Sequence, residues 1–453
     1  MSISSLPDVR PGRLSADEYA RRFSDANPRL TQAQAVLEAE RCLYCFDAPC
    51  ATACPTHIDV PSFIRRISDG NLRGAAHAIL EANPLGGMCA RVCPTEVLCE
   101  QVCVRATHEA RPVAIGRLQR HAVDAVMEPG AKALFSRMVA TGKRIAIVGT
   151  GPAGLACAHT LARLGHEVIM FDARAKAGGL NEYGLAAYKT PEGFAQRELA
   201  WLLSIGGIEV RNSWKLESAA QLQALRQDYD AVFLGLGLAG APRLGLSGED
   251  LNGVHDAVDF IATLRQTRDL ATLPIGRRVL VIGGGMTAVD AAVQSSLLGA
   301  QQVQLVYRRG SAAMPASRVE QDWAQTQGVA IRHWLAPVEI LGANAHVTAV
   351  RFERQAMSDG KLTPTGEFEI IEADMVMRAI GQQLLSSVLA QAGLRLEGGR
   401  IATQDDGLTS LAGVWAGGDC RAGGLDLTVE AVAHGKQSAA AIHAHINQAS
   451  SGI

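Results

Sequence analysis

One local pattern occurs twice in this 453-residue chain and restricts its fold more than any other: an apolar strand, a glycine-rich turn and a helix, in that order. In the first copy the strand is Arg144-Ile-Ala-Ile-Val148 and the turn Gly149-Thr-Gly-Pro-Ala-Gly154; a helix then runs to about Leu164, before a second strand, Glu167-Val-Ile-Met-Phe-Asp172. In the second copy Arg278-Val-Leu-Val-Ile282 leads into Gly283-Gly-Gly-Met-Thr-Ala288, a helix to about Leu298 and the strand Val303-Gln-Leu-Val-Tyr307. Each is a βαβ unit, and two such units make a parallel α/β architecture with two nucleotide sites.

Each glycine of the fingerprint has a task. Gly149 makes the tight turn, Gly151 lets the backbone approach a pyrophosphate, and Gly154 lets helix and strand pack closely. The helix N-terminus presents unpaired N–H groups and partial positive charge to the phosphates. Asp172 ends the second strand, placed to accept from a ribose hydroxyl. In the second copy Gly283, Gly285 and Ala288 take the three roles, but the second strand ends in Tyr307-Arg308-Arg309. A carboxylate there would repel a 2′-phosphate, whereas guanidinium groups bind one through forked, charge-assisted bonds. The expected ligand is NADP(H), with NAD(H) left open and a plain solvated basic pair as the alternative. Three further strand-to-glycine junctions follow the same logic: Asp230-Ala-Val-Phe-Leu-Gly235-Leu-Gly237, Met377-Arg-Ala-Ile-Gly381 and Gly413-Val-Trp-Ala-Gly-Gly-Asp419. In the last, Asp419 beyond Gly418 would face the ribityl or phosphate region of a flavin. Singly each junction is an ordinary strand end; their order along the chain is the informative part.

The cysteines are distributed just as unevenly. Eight of the ten lie between Cys42 and Cys103, with Cys157 and Cys420 standing alone. Cys42-x2-Cys45-x4-Cys50-x3-Cys54-Pro55 follows the ferredoxin-type run that ends in Cys-x3-Cys-Pro, and Cys89-x3-Cys93-Pro94-x4-Cys99-x3-Cys103 mirrors it. Soft, strongly donating thiolates suit iron–sulfur clusters, and the expectation is two [4Fe–4S] clusters. Structural zinc, the alternative, usually pairs two CxxC knuckles or one with histidines, and only Cys42/Cys45 has that spacing. Spacing alone leaves open which eight groups bind.

The remainder of the first 140 residues reads as short helices. Ser15-Ala-Asp-Glu18 and Thr31-Gln-Ala-Gln34 fit the capping box, and Asp59-Val-Pro61 is a helix start with proline in the first turn. Glu128-Pro-Gly130 and Thr141-Gly142 are the candidate boundary. A formal charge of −2 with 19% charged residues argues against nucleic acid or an anionic membrane as the main partner. Met1 to Asp8 lacks a basic stretch followed by an apolar one, and no apolar stretch reads as a spanning helix. A cytoplasmic setting is expected, where clustered thiols are ligands rather than disulfides.

The order flavin fingerprint, glycine-pair strand, inserted NAD(P) fingerprint, glycine-pair strand, Gly-Asp resembles the disulfide-reductase-like flavoproteins. With the cysteine region in front, the chain resembles the flavin/iron–sulfur subunit shared by glutamate synthase (small subunit) and dihydropyrimidine dehydrogenase, over essentially everything after about residue 15. Asn83-Pro-Leu-Gly86, Val92-Cys-Pro-Thr95, Gly116-Arg-Leu-Gln119 and Thr428-Val-Glu-Ala-Val-Ala-His-Gly-Lys-Gln437 resemble the dihydropyrimidine dehydrogenase side. The resemblance implies an α/β fold: an N-terminal α-helical double [4Fe–4S] domain (1–140), then two Rossmann-like domains, with the NAD(P) domain (263–385) inserted in an FAD domain (141–262 and 386–453). It implies Cys42, Cys45, Cys50 and Cys103 for one cluster and Cys54, Cys93, Cys99 and Gln119 for the other, leaving Cys89 unliganded. It makes Gly179 and Leu180, within Gly178-Gly-Leu180, a flavin-contacting loop, and Gly237 part of the flavin site. It further implies an electron-input subunit: NAD(P)H gives a hydride to FAD, and single electrons pass through the clusters to an FMN-containing catalytic subunit of a hetero-oligomer that reduces uracil or thymine. The chain has no third fingerprint and no stretch of the length a barrel needs, so the pyrimidine chemistry is expected on that separate chain. The small subunit of NADPH-dependent glutamate synthase and a zinc-stabilised nucleotide-binding scaffold are the two alternatives.

Overall fold

In the computed structural model the first fingerprint strand, β1 (Arg144–Val148), exposes only Arg144 and buries the four residues after it. Strands covered on both faces read as continuous apolar runs, which is why this one was legible. Residues 13–128, 130–384 and 386–451 are described; the Met1–Asp8 segment and Pro129 of the candidate boundary lie outside the described residues. β1 pairs in parallel with β2 (Glu167–Phe171) and β4 (Ala231–Leu234), and β3 (Ile208–Arg211) extends the sheet beyond β2. A strand from the far end of the chain, β15 (Val414–Ala416), joins β4 in parallel and completes the order β15-β4-β1-β2-β3. One face of the sheet is covered by the helices Pro152–Arg163 and Thr428–Ser451, through Leu155, Cys157, Leu161, Val432 and Ile442. The other face is covered by Leu222, Leu225, Leu389 and Leu394.

The same compact unit contains the cysteine-bearing helices: α2 (Gln32–Ala39), α3 (Pro49–Thr52), α4 (Val60–Ser68), α5 (Leu72–Ala82), α6 (Gly86–Val92), α7 (Val104–Glu109) and α8 (Ile115–Asp124). Thr31 and Gln34 form the expected capping box, and Asp59 caps α4 by accepting from the Ser62 N–H. Phe63, Ile64, Ile67, Ile79, Leu80, Leu118 and Val123 make their common core. The start of α6 is fastened to the helix Phe194–Leu203 by one carboxyl: Glu198 Oε1 accepts from the N–H groups of Gly87 (2.8 Å) and Met88 (3.0 Å). Only glycine fits at Gly87, because a Cβ there would stand 2.5 Å from the Phe194 ring. Arg91 stacks on that ring at 3.4 Å and donates to both oxygens of Asp124 at 2.7 and 2.9 Å. Burial pushes Glu198 up to about 8, against the pull of the two N–H groups and Arg91.

The second compact unit is built on the other fingerprint. β5 (Val254–Asp256), β6 (Arg278–Gly283), β7 (Gln302–Tyr307), β8 (Val329–His333) and β12 (Met375–Ala379) form a parallel sheet in the order β5-β12-β6-β7-β8. Between β8 and β12 the chain makes an antiparallel meander, β9 (Leu335–Ala343), β10 (His346–Ser358) and β11 (Lys361–Glu372). A short hairpin in the first unit, β13 (Leu396–Glu397) with β14 (Arg400–Ile401), completes the strands. The partition differs from the expected boundaries in two places. Residues 13–26, with the capped helix α1 (Ala16–Arg22), belong to the second unit rather than to the cysteine helices, because Tyr19 is buried there and its hydroxyl donates to the Leu298 carbonyl at 3.3 Å. Residues 183–191 and 240–383 also belong to it, since β5 pairs with β12 and Tyr188 donates to Asp290 at 3.2 Å.

An acid whose pKa is raised on folding holds its proton more tightly in the folded state. Its contribution is then most favourable at low pH and is lost as pH rises from the unfolded value toward 8. We predict that stability, measured as the urea midpoint, declines between pH 6 and 8 by up to about 1.4 kcal/mol per pH unit from this group. Glu198→Gln keeps an acceptor for Gly87 and Met88 and should flatten that slope; a slope unchanged by the substitution contradicts the assignment.

Candidate redox centres

The loops that carry the first cysteine run are tightly wound. Tyr44, Ala48 and His57 all hold left-handed backbone conformations (φ 50°, 38° and 52°), a strain kept only where surroundings enforce it. The winding turns Cys42, Cys45 and Cys50 inward, and Cys103, at the start of α7, joins them. The four line one cavity with Leu43, Ile64, Val104, Arg105 and Ile115, enclosing about 390 Å³ of atom-free space, mouth included. Four soft thiolates converging in one place fit the donor set of an iron–sulfur cluster. Burial pushes the Cys42 thiol up and Cys50 up to about 11, while N–H groups of Tyr44 and Ala51 pull the other way. Those N–H groups, together with Arg105 beside Cys42, are what a bound anionic cluster would use.

A second set of thiols converges around Cys93. The Cys93 thiol is held well above its ordinary value, first by a hydrogen bond with the Cys89 thiol, then by burial and by the neighbouring Cys99 and Cys54 thiols. Gln119 on α8 is buried, and its Nε2 donates to the Gly86 carbonyl at 2.7 Å. That bond fixes the carboxamide and leaves Oε1 without a hydrogen-bond partner among the described residues. The structure thus brings together Cys42, Cys45, Cys50 and Cys103 in one place, and Cys54, Cys93 and Cys99 with Cys89 in another.

At the first glycine turn the chain leaves room for nothing but backbone. A Cβ on Gly149 (φ 106°) would sit 2.1 Å from the Gly235 carbonyl oxygen, and one on Gly154 2.0 Å from that of Gly149. Gly151 is the cap of the helix Pro152–Arg163, and Gly179 (φ 55°) approaches so closely that a Cβ would lie 2.6 Å from the Gly151 Cα. Leu180 follows it, half-buried. Asp172 is already engaged: Oδ2 accepts from the Thr150 N–H at 2.9 Å and from the Thr150 hydroxyl, and Oδ1 from the Arg174 N–H at 2.8 Å. A ribose hydroxyl would share this carboxylate rather than find it vacant. Gly237 follows β4 with φ 63° and open space around it. Gly418 (φ 73°) donates its N–H to His434 Nδ1 at 3.3 Å, and burial pushes Asp419 up to about 6 and His434 down to about 4. Thr150, Glu198 and His434 were not singled out from sequence; Thr150 and His434 stand inside quoted motifs, while nothing local marks Glu198.

In the second unit Gly285 caps the helix Met286–Leu297 and has nothing within 4 Å of where a side chain would begin. Gly284 is covered by the Tyr307 ring, and Ala288 is fully buried in the helix–sheet core. Arg308 and Arg309 are exposed past the end of β7, and neither guanidinium has a partner among the described residues. An open glycine turn beside two free guanidinium groups fits a dinucleotide carrying a 2′-phosphate.

Residues 143–435 match the family described as pyridine nucleotide-disulphide oxidoreductase. The chain belongs to that family. Residues 19–131 match a second description, dihydropyrimidine dehydrogenase domain II, 4Fe-4S cluster. The chain is 35% identical to the glutamate synthase [NADPH] small chain of Escherichia coli K12, over 96% of this chain and 95% of that one. It is 34% identical to the NAD-dependent dihydropyrimidine dehydrogenase subunit PreT of Salmonella typhimurium LT2, over 95% and 98%. Among solved structures, Mycobacterium tuberculosis FprA in complex with NADPH shares the fold (TM-score 0.57, 20% identity, 68% of this chain and 86% of that one). So does T. acidophilum thioredoxin reductase (TM-score 0.53, 22% identity, 67% and 99%). This oxidoreductase is an NAD(P)H-dependent electron-input subunit with FAD and [4Fe–4S] cofactors, related to both kinds of subunit, as the sequence resemblance implied. Among the described residues no helix is long and apolar enough to cross a membrane.

Hydrogen bonds to charged groups are worth about 1.5–3 kcal/mol, roughly 10- to 100-fold in affinity. Arg308→Ala should therefore raise KM for NADPH in flavin reduction by about that factor and leave NADH nearly untouched. An equal loss with both coenzymes would show that these arginines do not read the 2′-phosphate.

Proposed function

We propose that this chain is the electron-input subunit of a dihydropyrimidine dehydrogenase, taking hydride from NADPH and supplying electrons to an FMN-containing partner that reduces uracil or thymine. The observation that carries the reading is the presence, in one chain, of a nucleotide turn with free arginines, a second glycine turn suited to FAD, and a four-cysteine cavity. The match of residues 19–131 to the dihydropyrimidine dehydrogenase iron–sulfur description supports the pyrimidine side. FAD and the clusters, when bound, supply the conversion of a two-electron hydride into single electrons.

The chain's own residues bind and orient. Gly149, Gly151, Gly154, Gly179, Leu180 and Gly237 clear the flavin site, and Asp172 fixes the ribose side. Gly418 and Asp419 close the ribityl side. Gly283, Gly285, Ala288, Arg308 and Arg309 hold the nicotinamide dinucleotide. Cys42, Cys45, Cys50 and Cys103 hold one cluster, and Cys54, Cys93, Cys99 and Gln119 the other. Beside the first cavity Leu43, Tyr44 and Phe46 are exposed, which suits a protein partner meeting the chain where electrons leave it.

A second reading has a specific observation in its favour. The free arginine pair suits NADPH, the coenzyme in the name of the glutamate synthase relative, whereas the PreT relative is named for NAD. Co-purification with the native partner separates the two. We expect NADPH-dependent loss of uracil with an FMN-bearing partner; glutamate formation from 2-oxoglutarate and glutamine, with a large glutaminase-bearing chain, would replace that reading.

A further inference from the structure

Three segments of the first unit meet at one turn. Leu164-Gly165-His166 joins the helix Pro152–Arg163 to β2, and the chain about to enter β1 lies along it: Met138 donates its N–H to the Arg163 carbonyl at 2.9 Å, and Thr141 to that of Gly165 at 3.0 Å. A Cβ on Gly165 (φ 90°) would stand 2.2 Å from the Val139 carbonyl oxygen, so the contact needs glycine. The third segment is the helix Thr428–Ser451, which brings His443 and, one turn on, Asn447. Their side chains form a continuous series. Asn447 Nδ2 lies 3.0 Å from His443 Nε2, His443 Nδ1 lies 2.8 Å from His166 Nε2, and His166 Nδ1 lies 2.8 Å from the Thr141 hydroxyl. His166 is fully buried.

The amide places the protons. Asn447 Nδ2 can only donate, so His443 Nε2 accepts and the His443 proton sits on Nδ1. That proton is donated to His166 Nε2, and the His166 Nδ1–H is donated to Thr141. Both rings are therefore neutral, and all four ring nitrogens are used. A proton added to His443 Nε2 displaces the Asn447 amide, and one added to His166 Nε2 points at the His443 N–H. The bond between the rings cannot survive with both charged, and the two titrate as a coupled pair. The charged groups facing the pair offer an imidazolium little relief: Arg137 is paired with Glu167 at 2.7 Å, and Lys143 with Asp230 at 3.1 Å. Burial, then the His443 ring, hold His166 below its ordinary value; Arg137 and Lys143 act in the same direction and Asp230 opposes them. We propose that His166 and His443 form an acid-sensitive latch: neutral, they fasten the C-terminal helix and the segment leading into β1 to the sheet, and uptake of protons opens the fastening. A group held below its ordinary value favours the folded state fully above that value, near pH 6.5 for histidine, and the contribution is lost as pH falls below it.

The test uses the whole chain as purified, with amide hydrogen exchange read by mass spectrometry at pH 7.5, 6.5 and 5.5 and corrected for the intrinsic pH dependence of exchange. We expect the opening constant of residues 131–143 and 436–451 to rise about tenfold between pH 6.5 and 5.5 for each proton taken up, while residues 144–148 of β1 keep their protection. His443→Gln should remove most of that rise, because an amide oxygen can accept from a charged His166 where an N–H cannot. His166→Gln should do the same; should the buried variant fail to fold, His443→Gln, at a half-buried position, carries the test alone. Protection unchanged between pH 7.5 and 5.5 in the wild-type chain would overturn the latch. So would an undiminished rise in His443→Gln, or a rise shared equally by β1, which would mark general acid unfolding. The readout needs neither coenzyme nor partner, so it is independent of whether the chain serves pyrimidine reduction or glutamate formation.

Discussion

The arrangement depends on one buried carboxyl. Glu198 accepts from two consecutive N–H groups at the start of the helix that carries Cys89 and Cys93, and so ties the cysteine helices to the sheet that carries the flavin turn. Electron transfer needs a fixed separation more than it needs reactive side chains, and this contact supplies one. It is bought with a desolvated acid, which only the two N–H groups and the nearby Arg91–Asp124 pair make tolerable. The glycine at position 87 and the ring of Phe194 exist, in this view, to let that contact close.

Around the anchor the work is divided by chemistry. Backbone is proposed to do the nucleotide binding, at turns where Gly149 and Gly179 leave no room for a side chain and Gly285 stands open. Sulfur is the donor proposed for the clusters, and Cys103 and Cys50 meet in one cavity although they are far apart in sequence. Charge enters sparingly: Asp172 and Asp419 on the flavin side, Arg308 and Arg309 on the nicotinamide side. The two turns differ mainly in that pair of arginines, on which the proposed preference for NADPH rests.

Much of this was legible beforehand, for physical reasons. Buried parallel strands such as Arg144–Val148 are continuous apolar runs, and Ser15 and Thr31 carry capping boxes that the structure forms. The second unit's fingerprint and the parallel sheets were equally plain. What escaped were partnerships between distant residues. A capped amphipathic helix says where it starts but not what it packs on, so the placement of Ala16–Arg22 beside Leu298 could not be read. The stretch 183–191 lies in sequence within the flavin half and yet packs with the other unit, through Tyr188 and Asp290. Glu198 sits in an ordinary helical run, and its role comes entirely from the N–H groups it meets. Spacing alone favours Cys89, and only the family resemblance brings in Gln119, whose carboxamide donates to the Gly86 carbonyl.

The central claim is that electrons reach the partner only by way of the cysteine-held clusters. Cys50→Ser, assembled with the partner and mixed with NADPH in a stopped-flow instrument, tests it most directly, because flavin reduction and delivery to the partner are read in the same trace. The account predicts flavin bleaching at the wild-type rate with reduction of the partner's acceptor lost. Wild-type delivery to the partner through the Cys50→Ser chain would contradict it.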